Sequence, residues 1–303
     1  MPTRWIARLG LLATVACTAP EDDAPIPDRT DDTGRPPLPD LTACGPTCGD
    51  GPLFVIDQIG FVFGDKDGPV PGFDLDGLGA QDDADCDVDD LSGPDGTLGI
   101  DNQFATVFDA LPAALRTTLP GILDASLAGG GLTVLVEVVG VDSLDEDGPI
   151  GLVFRRGAGA PETTAEGTIL PQQTFELDED AFMGATTDAW IRDGVIEAGP
   201  FEFDLQIAFL DTVAKTRLHH ARLRLERDDQ GGFDGLIGAM VPLEQIMTIV
   251  NRLGGCGDDA LGSALKVVMP LLVDARLDPD GDCDAITGAF EVSGVKAYVF
   301  ETP

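Results

Sequence analysis

The sequence predicts an α+β fold rich in β-structure, with an antiparallel sheet or sandwich carrying helices grouped on one side. Three observations predict it. Phe201, Phe203, Leu205, Ile207 and Phe209 alternate with Glu202, Asp204, Gln206 and Ala208, which gives a strand one core face and one wet face. Other strand-like runs follow one another across short turns, as antiparallel neighbours do. Helical spacing appears in only two places, residues 104–127 and 243–274.

The elements follow in order. Residues 53–63 form an apolar strand-like run, followed by an Asp-rich loop. Phe104, Val107, Phe108 and Leu111 then fall at helical spacing, and Leu115, Leu119, Ile122 and Leu127 repeat it. Pro112 and Pro120 mark starts or breaks, and Gly129-Gly130-Gly131 ends the helical part. Residues 132–141 and 150–154 read as strands around the acidic turn 143–149. After the strand at 201–209, further strands are expected at 216–226, 233–241 and 286–300. Residues 243–253 and 260–274 are expected to be helical, the second kinked by Pro270. Neither a repeat nor an internal linker divides this part, so residues 53–303 are expected to form a single globular domain.

Of 303 residues, Asp and Glu number 54 against 18 Lys and Arg, a formal charge of -36, while 43% are hydrophobic. That apolar fraction builds a core, so the chain is globular and not an acidic disordered tail. The charge excludes nucleic acid as a partner, because neutralising phosphates needs a basic surface, and it opposes electrostatic docking on anionic lipid.

Arg4 and Arg8 precede an apolar stretch, residues 9–16, that ends in small residues directly before Cys17. This is the layout of a signal peptide over residues 1–16, too short to span a bilayer. Thr14-Val15-Ala16-Cys17 resembles the lipobox of bacterial lipoproteins, with Thr14 where Leu is usual, which implies lipidation at Cys17. Residues 17–52 hold eight prolines and clustered Asp and are expected to act as an extended tether. The implied address is an exported protein, lipid-anchored to the cell envelope at the outer membrane or cell surface. In that oxidising setting Cys44, Cys48, Cys86, Cys256 and Cys283 are disulfide candidates, an odd number whose connectivity spacing does not give. Cys283 is expected to be bridged, with Cys256 or Cys86 as partner.

The acid lies in loops. Between Asp65 and Asp101 there are twelve Asp, no Glu and one Lys. They include Asp65 and Asp67, Asp74 and Asp76, the alternating Asp85, Asp87 and Asp89, and Asp95. Asp278, Asp280 and Asp282 form a second cluster. Alternate Asp with Gly-permitted turns converge hard carboxylate oxygens on one ion, which makes calcium the expected cofactor; zinc or iron would call for His and thiolates. No EF-hand is present, since Asp90 stands where that loop needs Gly. The alternative is solvated acidic surface, and for Asp101 it is capping the helix that follows.

Gly72-Phe73-Asp74-Leu75-Asp76, Gly99-Ile100-Asp101-Asn102-Gln103 and Cys283-Asp284-Ala285-Ile286 resemble motifs of a group of uncharacterised acidic bacterial exported lipoproteins. The resemblance extends over most of residues 53–300 and implies no activity. In that group the first two motifs are nearly contiguous, which makes residues 77–94 an insertion here and leaves open whether Asp74, Asp76, Asp95 and Asp101 share one ion.

His219 and His220, adjacent on a strand, point to opposite faces and cannot easily share a metal. Lys215, Arg217, Arg222, Arg224 and Arg227 form a basic strand face that either pairs with acidic neighbours or docks an anionic glycan or headgroup. Met240, Met247 and Met269 read as core. The chain lacks a Gly-x-Ser-x-Gly elbow, a P-loop and a His-Glu-x-x-His motif, and it nominates no catalytic residue. The expectation is a calcium-stabilised envelope lipoprotein with a binding or structural role. An envelope carrier of lipid or another apolar ligand is the alternative, and a hydrolase a more distant one.

Overall fold

The computed structural model describes residues 37–64, 68–79, 86, 88–110, 113–209, 212–253, 266–278 and 280–300, and Leu38–Pro303 form one compact unit. Among the described residues there are ten strands: β1 (Leu53–Phe61), β2 (Leu91–Ser92), β3 (Leu98–Ile100), β4 (Val134–Val139), β5 (Asp147–Ala158), β6 (Gln173–Arg192), β7 (Val195–Phe209), β8 (Thr212–Arg227), β9 (Phe233–Pro242) and β10 (Ala285–Val299). The helices among the described residues are α1 (Gln103–Ala110), α2 (Ala113–Ala128) and α3 (Leu243–Leu253), and residues 266–268 are also helical and run into a 3-10 turn at Met269–Leu271.

The expected α+β arrangement is wrong. Eight strands close into an antiparallel barrel in the order β1-β10-β9-β8-β7-β6-β5-β4, and β1 completes the ring by pairing with both β10 and β4. The physical reason is that the few short helices among the described residues cannot cover a face of a sheet this large. The sheet curls instead and buries one face against itself, which also pairs its edges except where β10 runs on past β1. Nor do the helices gather on one side. Helix α2 touches β1 and β7, which stand four places apart in the ring of eight, so it reaches from one side of the ring to the other, whereas α3 rests on β8 and β9.

Every barrel strand contributes to one apolar cluster, represented by Phe54, Val136, Leu152, Ile191, Ile196, Leu223, Ile237 and Ile286, which Leu127 of α2 and Ile246 of α3 join. Phe154 anchors it, stacked on Phe201 at 5.2 Å and edge-on to Phe203 at 4.9 Å. Met240 and Met269 are buried and Met247 packs on the main cluster, as expected.

On the opposite face, β7 and β8 carry charges in register. Arg217 donates two hydrogen bonds to Asp204 at 2.7 and 2.8 Å, Arg224 lies 4.0 Å from Glu197, and His219 Nδ1 lies 3.0 Å from Glu202. Arg227 lies 3.5 Å from Asp145 in the acidic turn. Arg217, Arg224 and Arg227, three of the five basic residues, are thus paired with acidic neighbours. His220 sits in a left-handed conformation (φ 50°) where the register between β8 and β9 shifts.

Residues 38–52, read from the sequence as the end of the tether, lie against the barrel. Leu41 is buried with Val139 and Val153, and the N–H of Val138 donates to the carbonyl of Pro52 at 3.0 Å. Two disulfides are formed among the described residues, Cys44–Cys48 and Cys86–Cys283. Cys283 is therefore bridged to the more distant of its two expected partners; Cys17 and Cys256 lie outside the described residues.

Candidate metal centre

β1 stops pairing at Phe61, opposite Phe290, so residues 285–289 of β10 continue without it. Buried N–H groups on such an edge need other acceptors. Ala275 pairs with Ala285 by reciprocal backbone bonds. Asp274 then accepts the N–H of Thr287 at 2.8 Å on Oδ1 and the Thr287 hydroxyl on Oδ2. The Thr287 Oγ1 in turn accepts the N–H of Gln103 at 3.1 Å. Here the loop carrying residues 99–103 meets the barrel.

Asp101 lies in that loop, and its N–H donates to the carbonyl of Phe73 at 2.9 Å. Phe73 stands on Gly238 of β9, where a Cβ would lie 2.6 Å from its ring; only glycine leaves room for the ring there. Gly99 (φ 79°) passes so close to Gly79 that a Cβ would sit 2.5 Å from the Gly79 carbonyl carbon, and its positive φ also suits glycine. The loops at 72–79 and 99–103 are thereby pressed together.

Their acids converge. Asp74, Asp76 and Asp101 each offer a carboxylate oxygen within 4.8 Å of the others. Asp101 is buried, and its Oδ2 accepts the N–H groups of Leu75 at 2.6 Å and Asp76 at 3.1 Å. It therefore ties the two loops together, and does not cap α1 as the alternative had it. Asp74 accepts from Gly77 at 2.7 Å and Gly79 at 3.1 Å, and Asp76 accepts from Leu78 at 2.8 Å.

Burial, and then the charge of Asp76, push the Asp101 carboxyl up to about 8, against the opposing pull of its two N–H donors. Burial also raises Asp74, with Asp76 adding to the shift. Asp274 is pushed up to about 7, again mainly by burial. Asp90 adds negative charge to both Asp101 and Asp274, so one anionic field reaches both. At about 8, Asp101 holds a proton at neutral pH. The donors are all hard oxygens, the type calcium takes, with carbonyls and waters to complete six to eight ligands.

The remaining predicted ligands do not join this group among the described residues. Asp95 is exposed and accepts from Thr97 at 3.0 Å in the β2–β3 turn, and Asp89 is exposed while its carbonyl accepts from the Gln103 side chain at 3.2 Å. Asp278, Asp280 and Asp282 are exposed, and Asp278 accepts from Asp280 at 3.1 Å. Asp65, Asp67, Asp85 and Asp87 lie outside the described residues. Sequence reasoning missed Asp274, whose one signal was a lone acid closing an apolar run. The three short motifs come together here: the second pairs with the first through Asp101 and Phe73, and the third opens β10, where the Asp284 Oδ1 accepts the N–H of Leu277 at 3.0 Å. Compared with family models, curated proteins and solved structures, the chain matches none.

Proposed function

We propose that the chain is an exported cell-envelope lipoprotein, anchored through Cys17, whose acidic β-barrel has a binding or structural role and takes calcium at Asp74, Asp76 and Asp101. The observation that supports the calcium reading is the approach of three carboxylates to within 4.8 Å on two loops, one of them buried and raised to about 8. A divalent cation there relieves carboxylate repulsion and holds the loops against the barrel edge. Thermal unfolding with calcium, magnesium or chelator at matched ionic strength tests it. Calcium raises the melting temperature more than magnesium if the reading holds, and identical curves overturn it. Mass spectrometry of the N-terminal peptide tests the anchor: an unmodified terminus, or cleavage beyond Cys17, removes it.

The closed barrel favours one second reading, an envelope carrier of a lipid or another apolar ligand. Eight-stranded barrels are wide enough either to fill with side chains or to hold one small ligand. Native mass spectrometry of the protein purified without detergent decides between the two, since a carrier retains an apolar adduct.

A further inference from the structure

The outer wall of β4 and β5 carries a second buried charged group, remote in sequence from the carboxylate cluster. Glu137 and Arg155 have side chains only 1% and 6% accessible, with Arg155 Nη2 3.8 Å from Glu137 Oε2. Glu137 Oε1 accepts the N–H groups of Cys48 at 2.6 Å and Gly49 at 3.1 Å. Arg155 Nη2 lies 3.4 Å from Cys48 Sγ. Among the described residues, Glu137 Oε2 and Arg155 Nε are both buried without a hydrogen-bond partner. Burying an incompletely satisfied ion pair is costly and contributes little to stability, so its position against a disulfide sulfur calls for another reason.

From this geometry we infer that Cys44–Cys48 is a reducible disulfide, a substrate for an exported dithiol reductant, with Arg155 stabilising Cys48 as the leaving thiolate. The two sulfurs differ in surroundings. Both are half-buried, but Cys44 Sγ lies 3.3 Å from the carbonyl of Asp40, whereas Cys48 packs beside Leu41, Val139 and Val153 with the guanidinium against its sulfur. A reductant thiolate attacks Cys44 Sγ, the sulfur–sulfur bond breaks, and its electron pair leaves on Cys48 beside the positive charge. The reductant's second thiolate then attacks its own sulfur in the mixed disulfide and releases Cys44. The reductant ends as a disulfide, having supplied two electrons; one of its two protons ends on Cys44 and the other in solvent. A nearby cation speeds this exchange because it lowers the proton affinity of the leaving thiol. Cys86–Cys283, which spans 197 positions against 4, is the bridge that stays closed.

The test treats the oxidised full-length protein with graded dithiothreitol at neutral pH, quenches by alkylation and maps the peptides by mass. Cys44 and Cys48 are expected to label at least ten times faster than Cys86 and Cys283; equal rates overturn the inference. In a Cys44→Ser protein, Cys48 is expected to react with iodoacetamide with a pH midpoint below the ordinary thiol value of about 8.5. A midpoint at or above that value overturns it. Adding Arg155→Met with Glu137→Gln, which leaves neither charge buried alone, is expected to raise the midpoint, and an unchanged midpoint assigns Arg155 a packing role only. If that variant does not fold, the first two measurements decide.

Discussion

The side-chain carbonyl of Asn102 accepts the backbone N–H of Ala289 at 3.0 Å, joining positions 187 apart in the chain. Asn102 is fully buried and its Nδ2 donates to the carbonyl of Pro71 at 2.8 Å, so one amide serves β10, from which β1 has withdrawn, and the loop that carries Asp74. It does in one side chain what a neighbouring strand would otherwise do.

Asn102→Leu removes both bonds and leaves the buried N–H of Ala289 and the half-buried carbonyl of Pro71 unpaired. Each such group costs about 1–3 kcal/mol. Urea unfolding is expected to show a loss of at least about 2 kcal/mol, together with a smaller calcium-induced shift because the Asp74 loop loses its fastening. Full stability in this variant would show that the amide does not seal the edge.

The pH dependence follows from the raised carboxyls. Between an unfolded value near 3.8 and folded values of about 8 for Asp101 and about 7 for Asp274, the folded chain binds more protons than the unfolded one. Stability contributed by these groups is therefore lost as pH rises through that window. In chelator, the melting temperature is expected to fall between pH 5 and 8. Asp101→Asn, which cannot ionise, is expected to flatten part of that slope, and saturating calcium to flatten it by displacing the proton. A melting temperature that climbs across the same range contradicts the burial-driven shifts.

Calcium at a hundred times its dissociation constant adds about 2.7 kcal/mol, and at equal concentration only about 0.4 kcal/mol, so the titration has to run well past the midpoint. Asp74→Asn with Asp76→Asn is expected to reduce the calcium-induced rise in melting temperature. Asp278→Asn with Asp280→Asn, at exposed positions outside the group, is expected to leave it intact. Loss of the effect in the second pair alone would relocate the ion.

The disulfides should differ in stabilising value because they close loops of very different length. By the chain-entropy estimate a bridge over 4 positions restricts the unfolded chain by about 2 kcal/mol and one over 197 positions by about 5 kcal/mol. Cys86→Ala with Cys283→Ala is therefore expected to lower the urea midpoint more than Cys44→Ala with Cys48→Ala does. The reverse order would mean that the short bridge is the main staple.

Strands with regular alternation were legible in the sequence: β1, β4, β5 and β7 to β10 all overlap expected runs, as do α1, α2 and α3. β6 was not. Its register against β5 shifts four times, so bulges interrupt the two-residue period over Gln173–Arg192 and its buried positions follow no simple alternation. Barrel closure was also hidden, because the pairing of β1 with β4 and β10 joins distant segments and leaves no local mark. At the site, Asp74, Asp76 and Asp101 were named, but only within a crowd of acids that composition cannot sort. Asp76 is itself exposed and Asp101 alone is buried, so what separates the three is the meeting of their loops, set by Gly79, Gly99 and Gly238. Glu137 and Arg155 went unnoticed, although a lone charge inside an apolar strand such as 132–141 is the signal that would have found Glu137.

Closure of the ring by β1 also sets an order of events. Ribosomes deliver β1 early, yet one of its two partners, β10, follows more than two hundred residues later. Until then the first strand has β4 on one side and an exposed ladder edge on the other, and the partners of the Cys86–Cys283 bridge are not both present. Pairings this distant in sequence fold slowly and leave the waiting edge open to association with other chains. Chaperone binding during synthesis should thus concentrate on the β1 segment, and truncation before Ala285 should yield an aggregating chain.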